Sequence, residues 1–133
     1  RDTWFMPTRN SYMVRLLEDA GARYVFEENT ATQTLPIDIE QAYYLTSKSD
    51  FWLNVSGCNT LDEVRRQNPR LADTPPVREG RVYDNNRRRN AAGGSDFWES
   101  GSAYPDRTLK DLIHILHPEL LPDRTLYYFR HLQ

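Results

Sequence analysis

Apolar residues recur at helical spacing in several places along this chain, and each such run is closed by a residue that punctuates backbone structure. The clearest case is late: Leu109, Leu112, Ile113 and Leu116 fall at i, i+3, i+4 and i+7. Pro105 fits the first position of that helix, where no backbone N–H is needed. Asp106 places negative charge in its first turn, and His117 before Pro118 ends it. Met13, Leu16, Leu17 and Ala20 predict an earlier helix, opened by Asn10 or Ser11 and closed by Gly21. Asp38 caps another, through Ile39, Ala42 and Tyr43 to about Thr46. Thr60 with Glu63 forms a capping box ahead of Leu61 and Val64, and Asn68-Pro69 closes that helix. Strands are read at 3–6, 23–26, 51–55 and 81–83, with 126–129 as a last extended segment and Pro75-Pro76 as a loop. Strand, helix and strand over the first 26 residues predict a parallel crossover, and the alternation throughout predicts an α/β fold. The expectation is one domain, residues 1–133, with a mostly parallel sheet of four or five strands flanked by helices.

Composition narrows the function classes. The net charge of −2 gives no basic field for nucleic acid. One cysteine, Cys58, excludes an internal disulfide. No apolar run reaches the ~18 residues a membrane span needs, and no signal peptide is read. The chain starts at Arg1, directly in an apolar stretch, as an excised or processed piece of a longer protein would. Aromatic residues make up 12% of the chain, with eight Tyr and three Trp, so contact surfaces are largely aromatic.

In α/β sheets ligands bind beyond the carboxyl ends of strands. The loops expected there are 7–11, 56–60 and 85–95. Phe97 and Trp98 lie between Asp96 and Glu99, with Gly93, Gly94 and Gly101 around them. Large aromatics beside glycines line a concave site or plug a helix onto a sheet, and the sequence leaves both open. The cleft candidates are Trp4, Met6, Asn10, Tyr12, Trp98 and Glu99, each with core or rim packing as the alternative. Arg87 and Arg88, in a run with Arg89, suit the oxygens of an anion, or form a solvated loop. Trp52 and Cys58 are read as packing residues. Asp96 and Glu99 are spaced as a glycosidase pair would be, but no further catalytic part accompanies them. His114 and His117 have no third ligand nearby, so no metal is assigned.

Short blocks of the chain resemble the C-terminal lobe of helical-backbone periplasmic substrate-binding proteins, the receptors of ABC importers for ferric siderophores, haem and cobalamin. They are MVRLLEDAGARY at 13–24, DIE at 38–40, SDFWL at 49–53, GRVY at 80–83, DFWE at 96–99, PDRTLKDLI at 105–113 and HPE at 117–119. The resemblance implies a Rossmann-like three-layer lobe, the second of two joined by a long helix, with ligand held between them. It implies a periplasmic or cell-envelope monomer whose membrane link is a lipid anchor outside this chain. The ligand would be an iron–siderophore complex, haem or cobalamin, with no resident cofactor and no catalysis. The family docks on arginines of its permease through one surface glutamate per lobe; the matching position here is Glu40, although a helix N-terminus alone also favours a carboxylate there. Two alternatives stand beside this reading: an α/β enzyme domain with its active site on the loop from Asn85 to Glu99, and a cytosolic regulatory binding module.

Overall fold

The computed structural model describes residues 4–6, 11–26 and 35–133. Three of its helices begin where a side chain takes up an unpaired N–H group of the first turn. Ser11 Oγ accepts from Val14 N at 3.2 Å to open α1 (Tyr12–Asp19). Asp38 Oδ1 accepts from Gln41 N at 2.9 Å to open α2 (Ile39–Ser47). Thr60 Oγ1 accepts from Glu63 N at 3.1 Å to open α3 (Leu61–Gln67), while Glu63 Oε1 accepts from Asn59 N at 3.3 Å. The Pro75-Pro76 pair, expected as a loop, instead starts a one-turn helix, α4 (Pro75–Arg78). A proline at the first helical position sacrifices only an N–H that has no intrahelical partner. The aromatic–acidic stretch forms α5 (Asp96–Ser100), and α6 (Pro105–Leu116) follows.

The strands are fewer in parallel register than expected. β3 (Trp52–Leu53) pairs parallel with β4 (Val82–Asp84), with Trp52 opposite Val82. The crossover between them carries α3 and α4. β5 (Arg130–His131) then adds antiparallel to β4, giving a mixed sheet of order β3-β4-β5. β1 (Trp4–Met6) pairs antiparallel with β2 (Leu35–Ile37) in a separate ribbon. The architecture is therefore mixed helix and strand with one parallel pair among the described residues.

The expected opening crossover does not form, because residues 23–26 join no ladder. Tyr24 and Phe26 are buried all the same, packed with Val14 and Leu45 from α1 and α2. Their alternation with exposed Arg23 reflects burial against helices rather than strand pairing.

The core falls into three clusters. One joins Leu16 and Ala20 of α1 to Leu112 and Ile115 of α6 and to Phe97, Tyr128 and Phe129. A second packs Val55, Cys58, Val64, Val77, Val82 and Leu132 around the sheet, with Trp52 half-buried against it. The third is the Val14–Tyr24–Phe26–Leu45 group. The buried stripe of α6 is Thr108, Asp111, Leu112 and Ile115, rotated from the expected one, and Leu109, Ile113 and Leu116 lie half-buried at its margin.

Candidate functional site

Two polar residues on a buried helical stripe require an explanation, and Asp111 supplies the larger part of the site. Its side chain is 0% exposed. A buried carboxylate is costly unless it is paired and hydrogen-bonded. Here Oδ1 accepts from Arg124 Nε at 3.1 Å, from Arg124 Nη2 at 3.0 Å and from Tyr127 N at 2.9 Å. Oδ2 accepts from Tyr128 N at 2.7 Å and Phe129 N at 3.2 Å. Three consecutive backbone N–H groups thus converge on one carboxylate, and residues 127–129, within the stretch 126–129 expected as a last extended segment, are held by α6. Arg124 Nη2 also donates to Arg107 O at 3.1 Å, joining the same segment to the preceding turn of α6.

That clip presents an aromatic face. The Arg88 guanidinium lies 3.7 Å from the centre of the Tyr127 ring, within cation–π range. Arg107 lies 4.7 Å from the same centre and 4.0 Å from that of Tyr104, and its Nη1 donates to Tyr127 Oη at 3.1 Å. Desolvation works to lower the pKa of Arg107, but the neighbouring Tyr128, Tyr127 and Tyr104 phenols outweigh it and raise the pKa. Tyr128 Oη lies 2.7 Å from Ser100 Oγ, which donates to Asp96 Oδ2 at 2.8 Å. The Tyr12 phenol is pushed up by desolvation and then by its neighbour Tyr128. Phe97 is buried edge-on to Tyr128, Phe129 and Trp98, so it plugs α5 onto the core. Trp98 points the other way and is 70% exposed. The face combines flat aromatic surface with two guanidiniums, which can stack on a planar group and donate forked hydrogen bonds to anionic oxygens.

Of the residues singled out in the sequence, Arg88 stacks on this face, Tyr12 neighbours Tyr128, and Trp98 is exposed against Phe97 with Glu99, also exposed, next to it in the chain. Arg87 is exposed nearby, and its backbone N donates to Tyr128 O at 3.1 Å. Trp4 and Met6 lie elsewhere. Trp4 lines a depression of about 240 Å³ with Val55, Ser56, Gln67 and Asn68. Met6 packs against the Val14–Tyr24–Phe26–Leu45 cluster. Asn10 lies outside the described residues. Glu40 stands in the first turn of α2, 72% exposed, and pairs with Arg70 at 2.9 Å.

The edge beyond β3 and β4 is filled by the chain's own hydrogen bonds. Asp84 Oδ1 accepts from Ser56 N at 3.1 Å and from Asn85 N at 2.9 Å. Asn85 Nδ2 donates to Asn54 Oδ1 at 2.8 Å, and Ser95 Oγ donates to Asn85 O. His114 Nδ1 lies 2.7 Å from Leu121 O, whereas His117 faces Glu119 at 3.7 Å. Among the described residues no cluster of three His, Cys, Asp or Glu could hold a metal, and no helix is long and apolar enough to cross a membrane.

Sequence reasoning did not single out Ser100, Tyr104, Arg107, Arg124, Tyr127 or Tyr128 as site residues, and it passed over Asp111. A signal existed for the last: Asp111 stands three residues after Thr108 and four before Ile115 in an amphipathic helix, beside the apolar Leu112.

The chain is 25% identical over 126 residues to an uncharacterized lipoprotein of Methanocaldococcus jannaschii, an alignment covering 94% of this chain and 28% of that protein. The chain therefore spans little more than a quarter of the curated relative it matches. No family model matches the chain, and no solved structure matches it.

Proposed function

We propose that this chain is one lobe of the solute receptor of an ABC importer, and that it captures an iron chelate or related metal complex for delivery to a permease. The observation carrying this reading is the exposed face on which Arg88 and Arg107 stack against Tyr127, with Tyr104 beside Arg107. A ferric catecholate is flat at each arm and negatively charged overall. Such a ligand gains aromatic stacking and charge-assisted hydrogen bonds from this face without any bond being broken. The blocks shared with helical-backbone receptors support the same reading, as does the length of the lipoprotein relative, which leaves room for a second lobe. On this reading the full lobe is Rossmann-like, the protein sits at the cell envelope through an anchor outside this chain, and Glu40 meets an arginine of the permease in exchange for Arg70.

Two variants test the binding face. Arg88→Ala and Arg107→Ala should each weaken binding of a ferric tris-catecholate complex by about tenfold, the loss of one charge-assisted contact. Arg66→Ala, on the exposed side of α3, serves as control. Unchanged affinity in both face variants overturns the assignment of the ligand to this surface.

A further inference from the structure

Three chain segments meet at the Tyr127 ring. Arg88 arrives from the loop after β4, Arg107 from the first turn of α6, and Tyr127 itself from the segment before β5. The first two reach the ring through their side chains; the position of the ring depends on how the backbone at 127–129 is held. That backbone is held by the buried carboxylate of Asp111, through three consecutive N–H donors, with Arg124 closing the clip from the other side. A leucine at position 111 would suit the buried stripe of α6 without the desolvation cost of a carboxylate. What the carboxylate adds is a fixed direction for the peptide planes that project Tyr127 and Tyr128.

We infer that Asp111 is the positioning residue of the aromatic face: through the N–H groups of 127–129 it holds the Tyr127 ring where both guanidiniums stack on it. Asp111 touches no ligand itself, and its effect on binding is transmitted through Tyr127. The positioning inference rests on the receptor reading only for its consequence for affinity; its geometric content stands without a ligand.

The test has two arms. In the ligand-free protein, side-chain NMR of arginine should show the Arg88 and Arg107 resonances shifted by the ring current of Tyr127, and Tyr127→Leu should abolish those shifts. Asp111→Asn, which keeps the volume but loses the charge that gathers five donors, should remove most of the shift while far-UV circular dichroism stays native. Arg124→Gln should act in the same direction and decides the matter if Asp111→Asn does not fold. Retention of both shifts in a folded clip variant overturns the inference. In the second arm, with ferric tris-catecholate as probe, Asp111→Asn and Tyr127→Leu should each weaken binding about tenfold, and the double variant no more than Tyr127→Leu alone. Fully additive losses overturn transmission through Tyr127. If the unaltered protein does not bind the probe, the ferric-catecholate reading fails, and the ligand-free arm still decides the role of Asp111.

Discussion

Replacing Asp111 by Ala should be among the most damaging single changes available in this chain. The substitution removes the acceptor of Tyr127 N, Tyr128 N and Phe129 N and strands Arg124. Not all of these losses are equal. Arg124 is 20% exposed and can turn its guanidinium to water. Tyr128 and Phe129 are fully buried, so their N–H groups cannot be rehydrated without opening the core. Each buried donor left unsatisfied costs about 1–3 kcal/mol, which puts the loss near 4 kcal/mol. That agrees with the roughly 3–5 kcal/mol seen when one partner of a buried ion pair is removed. Against a total stability of about 5–15 kcal/mol, the variant keeps only part of its margin. Urea denaturation followed by tryptophan fluorescence reads the effect: with a slope of about 2 kcal/mol per molar, the midpoint should fall by about 2 M. The exposed Glu40–Arg70 pair is the internal contrast, since screening leaves such pairs about 0–1 kcal/mol. A loss below about 1 kcal/mol for Asp111→Ala would show instead that water or a rearranged backbone satisfies those N–H groups at little cost.

Further outcomes follow from the same physics. Thr108 Oγ1 is buried with no hydrogen-bond partner among the described residues, so Thr108→Val should raise stability by about 1 kcal/mol in the same urea assay. Burial raises the phenol pKa values of Tyr24 and Tyr83 above the usual value near 10. Both groups therefore keep their protons in the folded state while the unfolded chain ionises, so stability is intact below pH ~10 and is lost as pH rises from there through the raised folded values. Tyr24→Phe should flatten that alkaline decline by up to about 1.4 kcal/mol per pH unit. Gly21 has a φ of +93°, and a Cβ there would lie 2.8 Å from His117 Nε2. Gly21→Ala should thus cost more than about 1 kcal/mol, read as a lowered thermal midpoint.

The helices were legible because their signals are local. Ser11, Asp38 and the Thr60–Glu63 pair act on N–H groups within four residues, so the sequence states both the donor and the acceptor. Strand pairing is not local. The Arg23–Phe26 alternation is what a half-buried strand shows, yet helices α1 and α2 cover Tyr24 and Phe26 as well as a sheet would. The sequence left Phe97 and Trp98 open between lining a cleft and plugging a helix onto the core, and the structure divides the two roles, burying Phe97 and leaving Trp98 exposed; Arg88, read as an anion contact or part of a solvated loop, lies over the Tyr127 ring. The centre of the face was not, because Tyr127 is placed by Asp111, sixteen residues away, and Arg88 meets it from a third segment. No spacing rule connects 88, 107 and 127; their meeting depends on a backbone clip that periodicity records only as a charge out of place.

The most direct measurement is a tryptophan-fluorescence titration of the longer protein of which this chain is proposed to be a lobe, with the 133-residue chain beside it. Ferric catecholate, ferric hydroxamate, haem and cobalamin would be added in turn, each corrected for its own absorption. A receptor lobe of this kind should give saturable quenching by one of these metal complexes in the longer protein and a weak response in the single lobe. No saturable response to any of the four would overturn the assignment of a metal complex as ligand.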